Sequence, residues 1–288
     1  MPTRFAAHVR RLPAVLITVA SVASGALALS GPSGATTTHS GTVKVLSAGS
    51  LSNLMVRLGA AFKHDTGYAI ENTALGSSAI ASGIISKTLQ GDVFISASSS
   101  ADRALEGPAH GNWISGYRSI GSSPDVLAYY PRSRFAAALR SRPWYDVIAS
   151  RGFELGRTDP TVDPGGVLDV DALYGIGYGY NIPSLISIAT NSRNVYTEEA
   201  IPGLLQAGQL DGAFMYALSA HAAKLPYVAL SGTRNLNAEY TIAQLRAAPD
   251  AAAASAFVKW LLSPRGASIM VAQGLVPSKA TPAARPAP

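Results

Sequence analysis

The sequence predicts an α/β fold built on an open sheet, and three observations carry that reading. Short apolar runs alternate with helix-spaced apolar residues from Val43 onward. Two of the turns that follow such runs carry a serine where a helix starts, at Ser50 and Ser77. The chain then closes on FVKWLLSPRGASIMVAQGLVP (257–277), a helix broken at Ser263-Pro264, a second short helix ending at Gly274, and an extended Leu-Val-Pro.

The elements follow in order. The run 43–46 suits a buried parallel strand, and Leu51, Leu54, Met55, Leu58 and Phe62 fall at helical spacing until Gly67 stops them. A second strand is expected over 68–73, and Gly76-Ser77-Ser78 opens a helix carrying Ile80, Ile84 and Ile85. The run 92–96 is a third strand, with a helix after Ser100. A second series begins near Pro124, with a strand over 126–130 and a loop over 156–166 before a helix through Leu173. Residues 197–205 read as helix, 210–216 and 227–230 as extended, and the chain returns to the first series from Ile242.

Residues 1–35 read as an export signal. Arg4, Arg10 and Arg11 precede an apolar stretch over 12–29, and Ala26-Leu27-Ala28 and Ser33-Gly34-Ala35 both fit a cleavage site. An uncleaved membrane anchor is the competing reading, weakened by Pro13, Thr18, Ser21, Ser24 and Gly25. Cleavage after Ala35 leaves 253 residues and lowers the formal charge from +6 to +3. No Lys/Arg cluster calls for nucleic acid. The chain has no cysteine, which excludes disulfides, thiolate metal sites and a lipid-modified Cys. A protein free in a periplasm, or secreted, is expected.

Three segments bring small donors to the start of a helix: Ala48-Gly49-Ser50-Leu51, Gly76-Ser77-Ser78 and Thr197-Glu198-Glu199. A helix N-terminus offers free N–H groups and a partial positive charge, so it holds oxyanions without a cationic side chain. The plainer reading is that each serine or threonine only caps its helix. Two serine turns at the carboxyl ends of sheet strands, where ligands usually bind, favour the anion.

SAGSLSNLM, GSS, DVFISAS, GRTDPTVDPGG and LDGAFMYALSA occur in that order before the closing segment. This ordered set resembles the periplasmic molybdate- and tungstate-binding proteins of ABC importers, over nearly the whole chain after residue 35. The resemblance implies a type II periplasmic binding protein, two α/β lobes closing on a tetrahedral dianion. One lobe would span 42–123 plus 232–280 and the other 124–231, with a disordered tail over 281–288. Ser50 and Ser77 match hydroxyl donors, Gly165 and Glu198 match backbone N–H donors, and Tyr216 matches a phenol donor. Ser78 would add a backbone N–H, its side chain serving as a cap. A monomer without a cofactor, delivering molybdate or tungstate to a membrane permease, is what the resemblance implies.

Asp163 departs from the bacterial members, where this position is usually not acidic. In the archaeal tungstate-type members a carboxylate here ligates the metal, raising it from four to six oxygens, together with a second carboxylate just before the tyrosine. This chain has Met215 at that point. The expectation is therefore that Asp163 caps the helix beginning at Pro164 and that the ligand stays four-coordinate.

Other oxyanions, such as sulfate, thiosulfate or phosphate, are the alternative ligands. A secreted hydrolase would need a base within reach of Ser50 or Ser77. His39, His64, His110 and His221 follow no such pattern, and no GxSxG elbow precedes a helix. Asp159, Asp163, Asp169 and Asp171 lack the spacing of a calcium loop.

Overall fold

The computed structural model of the chain describes residues 41–234 and 236–278. The segment expected to direct export and the tail over 281–288 lie outside the described residues. Among the described residues, eight strands are joined in one sheet: β1 (Thr42–Ala48), β2 (Ala69–Leu75), β3 (Val93–Ser96), β4 (Arg118–Tyr129), β5 (Leu155–Gly156), β6 (Gly212–Tyr216), β7 (Tyr227–Ala229) and β8 (Asn237–Gln244). Their order is β2-β1-β3-β8-β4-β6-β5, with β7 also beside β4. β1 runs parallel to β2 and β3, β8 is antiparallel to both β3 and β4, and β6 is antiparallel to β4 and parallel to β5.

β1 and β3 read as continuous apolar runs because both of their faces are covered. Val43, Val45, Val93 and Ile95 pack with the helices Ser52–Thr66 and Ala251–Leu261, whereas Leu46 and Phe94 pack with Ile80 and Ile84 of the helix Ser77–Ile85. β4 and β6 do the same further along the sheet. Leu127, Tyr129 and Phe214 meet Trp144, Leu173 and Ile176, and Val126, Ala128, Ala213 and Met215 meet Ile201 and Leu205. Gly67 stops its helix in the left-handed conformation at φ 84°.

The closing segment folds as its sequence predicts. Helices Ala251–Leu261 and Pro264–Ala272 meet at Ser263, whose side chain accepts from the Gly266 N–H. Phe257 and Trp260 pack their rings 5.1 and 5.3 Å from Phe62, and the Trp260 indole donates to Asp65 at 3.0 Å. Burial of each such ring stabilises by roughly 1.5–3 kcal/mol.

Two strands differ from expectation. β4 starts at Arg118 rather than near 126, and β8, from Asn237, is a strand where only the chain's return near Ile242 is expected. Arg118–Pro124 pairs with β8, and Asp125–Tyr129 pairs with β6, so the strand changes partner at Pro124. Its first half carries serines, a glycine and a proline that read as a turn when the partner strand is not in view. Gly121 (φ 150°) is required there, because a Cβ would stand 2.6 Å from the Val276 carbonyl oxygen.

Candidate functional site

β1 runs into the short 3₁₀ turn Gly49–Leu51, and β2 runs into the helix Ser77–Ile85. The N-cap positions are Ala48 and Gly76, neither of which makes a side-chain cap. Ser50 and Ser77 therefore stand inside the first turns, and the plain capping role does not apply to them. Both are buried. The Ser50 hydroxyl accepts from the Tyr240 O–H at 2.9 Å, and the Ser77 hydroxyl accepts from the Ala97 N–H at 3.0 Å. Ser78 is half-buried one residue further into its helix and does not cap it either, contrary to expectation, because Gly76 holds the cap position.

The loop before the helix Pro164–Gly179 supplies the opposite wall. Asp163 caps this helix, its Oδ1 accepting from the Gly165 N–H at 2.7 Å, with Pro164 in the first turn. The Gly165 N–H, expected to face the ligand, is thus occupied by Asp163. The Ala79 N–H donates to the Val162 carbonyl at 3.1 Å, which brings the Ser77 turn against this loop. A Cβ on Gly76 would meet that carbonyl oxygen at 2.3 Å, so only glycine allows the approach. A Cβ placed on Gly165 would find Asp163 Oδ1 at 3.1 Å, Thr158 Oγ1 at 3.2 Å and the Tyr216 hydroxyl at 3.4 Å. The hydroxyls of Thr158 and Tyr216 are buried and have no hydrogen-bond partner.

Glu198 enters differently from expectation. The helix in its segment begins at Ile201, with Pro202 in its first turn, and residues 198–200 form a turn ahead of it. Proline lacks the N–H an interior position needs, so it belongs at the start of a helix. The Glu198 carboxyl is what reaches the site: it accepts from the Ser50 N–H at 2.8 Å. Asp163 is near enough to push the Glu198 carboxyl further up. The second carboxyl beside Asp163 is therefore Glu198, not a residue preceding Tyr216, and Met215 is packed in the core.

Burial dominates the electrostatics of these groups. It pushes Asp163 up to about 6, with Glu199 adding repulsion, and it holds Glu198 well above the ordinary carboxyl range, with Asp163 adding to the rise. It also raises the Tyr216 phenol, further helped by Glu198. Beneath the loop, Asp169 is driven up to about 8 by burial; it accepts from the Thr158 N–H at 3.1 Å. Of the other acidic loop residues, Asp159 is tied to Thr161, and Asp171 is exposed.

This arrangement can hold an oxyanion. The Glu198 carboxyl places one oxygen on the Ser50 N–H, as a bound anion would. A hollow of about 270 Å³, lined in part by Ser78, Pro164 and Tyr216, opens beside these groups. A larger one of about 610 Å³, against Tyr174 and Tyr178, shares no lining residue with the donors. The hydrogen bonds of Ser50 and Ser77 go to tyrosine, carboxyl and backbone groups and not to a histidine base. Sequence reasoning missed Tyr240 and Thr158, which no local pattern marks.

The sheet is covered on both faces, and buried polar groups gather where its helices start. The chain belongs to the bacterial extracellular solute-binding protein family, whose model matches residues 43–276. A Haloferax volcanii protein, provisionally named an ABC transporter molybdenum-binding protein, is 28% identical over 258 residues, 89% of this chain and 78% of that protein. The molybdate/tungstate-binding protein WtpA of Pyrococcus abyssi is 23% identical over 209 residues, 55% of this chain and 61% of its own length. The solved periplasmic molybdate-binding protein of Azotobacter vinelandii superposes with a TM-score of 0.64 at 18% identity, covering 81% of this chain and 98% of that one. The fold is the expected one of type II periplasmic binding proteins.

Proposed function

We propose that this chain is an exported protein that captures molybdate or tungstate and delivers it to the permease of an ABC importer. One observation carries the reading: the Glu198 carboxyl is held by the Ser50 N–H, beside two buried hydroxyls that lack partners. The names of the Haloferax and Pyrococcus relatives point to the same solute. In this reading the ligand takes the place of the Glu198 carboxylate on Ser50, and Ser77 and Tyr216 complete the donor set. Segments 42–123 plus 232–280 and 124–231 act as two lobes that close on it, in a monomer freed of residues 1–35.

The pairing of Asp163 with Glu198 favours a ligand of six oxygens over the four-coordinate one expected from sequence. Two carboxylates beside a bound dianion repel it by several kcal/mol at an effective dielectric near 20. Ligating the metal centre through their own oxygens turns that repulsion into attraction. Thermal unfolding of the purified protein with molybdate, tungstate, sulfate and phosphate tests the reading. Molybdate and tungstate raise the melting temperature, and equal stabilisation by sulfate at equal concentration overturns the choice of solute.

A further inference from the structure

We propose that the hydroxyl of Thr158 is a further direct ligand-binding group, donating to an oxygen of the captured oxyanion. The inference rests on the oxyanion reading of the site and adds a contact to it. Both main-chain polar groups of Thr158 are fixed by buried side chains: its N–H donates to Asp169 at 3.1 Å, and its carbonyl accepts from the Arg157 guanidinium at 3.0 Å. Arg157 is anchored in turn on the Ala189 carbonyl at 2.8 Å. Gly166 lets this strand of loop press on the helix start, since a Cβ there would stand 2.6 Å from the Thr158 carbonyl oxygen. The result is a residue held rigidly with one group left over.

That group is the hydroxyl. Thr158 is 4% exposed, and its Oγ1 has no partner. Buried hydroxyls are nearly always paired, so an unpaired one marks a missing partner. The Tyr216 hydroxyl, equally unpaired, converges on the same space over Gly165. Two buried hydroxyls without partners, both within 3.4 Å of one point over Gly165, are matched by a ligand that accepts hydrogen bonds. An oxyanion is such a ligand.

Calorimetric titration of molybdate into Thr158→Val, Thr158→Ser and Ser50→Ala, with melting curves of each ligand-free protein, tests this. Valine keeps the shape and removes the hydroxyl, so Thr158→Val should bind about 10- to 150-fold more weakly while its ligand-free melting temperature holds or rises. Thr158→Ser, which keeps the hydroxyl, should bind within a few-fold of wild type. If Thr158→Val does not fold, Thr158→Ala takes its place against Thr158→Ser. Wild-type affinity in the hydroxyl-free variant overturns the assignment, as does equal weakening in Thr158→Ser. Ser50→Ala separates the two levels: if it too binds like wild type, the site reading itself fails, whereas loss in Ser50→Ala with none in Thr158→Val removes Thr158 alone.

Discussion

The Tyr240 hydroxyl donates to the Ser50 hydroxyl at 2.9 Å, across 190 residues of sequence, and both groups are buried. With the Tyr240 O–H on its oxygen, the Ser50 hydroxyl keeps its own proton to donate, next to the Ser50 N–H that holds the Glu198 carboxyl. Tyr240→Phe keeps the ring and its edge-to-face contact with Tyr216, whose centroid is 6.0 Å away. It is predicted to weaken molybdate binding by roughly 3- to 15-fold, the worth of one net hydrogen bond. The double variant Ser50→Ala/Tyr240→Phe should bind no more weakly than Ser50→Ala, because the tyrosine acts through the serine. Additive losses in that cycle would show that Tyr240 acts elsewhere.

Asp163 and Glu198 give a prediction with a definite sign. If their carboxylates ligate the metal, Asp163→Asn and Glu198→Gln should each weaken binding by at least about tenfold. The asparagine still caps the helix at Pro164, so the fold should be retained. A neutral variant that binds unchanged or more tightly would return Asp163 to a capping role and the ligand to four oxygens.

Buried acids make the stability of the ligand-free protein depend on pH. Burial raises Asp102 to about 7, Asp163 to about 6 and Asp169 to about 8, all above the ordinary value of 3.8. Between those values the folded chain holds more protons than the unfolded chain, so stability falls as pH rises. The melting temperature should therefore drop from pH 5 to pH 8.5. Asp102, whose carboxyl accepts from Thr241 away from the donor set, offers a clean control: Asp102→Asn should flatten part of that slope. A melting temperature that climbs across this window would contradict the account.

Much of this fold could be read from sequence because its signals are local. Val43, Val45, Val93 and Ile95 declare buried strands, Ser263-Pro264 declares a helix start, and Gly67 and Gly274 declare helix ends. The first half of β4 could not be read, since Gly121 and Pro124 look like a turn until β8 lies beside them. The site divides the same way. Ser50, Ser77 and Tyr216 follow strands and could be found by position. The Glu198 carboxyl, Tyr240 and Thr158 matter only through contacts made across the fold, 148 residues in the case of Glu198 with Ser50.

The most direct measurement is crystallography of the tungstate complex with anomalous diffraction at the tungsten edge. The account predicts one strong anomalous peak enclosed by Ser50, Ser77, Tyr216, Asp163 and Glu198, with two carboxylate oxygens added to the four of tungstate. A peak elsewhere, or no tungsten at this site in a protein saturated with tungstate, would contradict it.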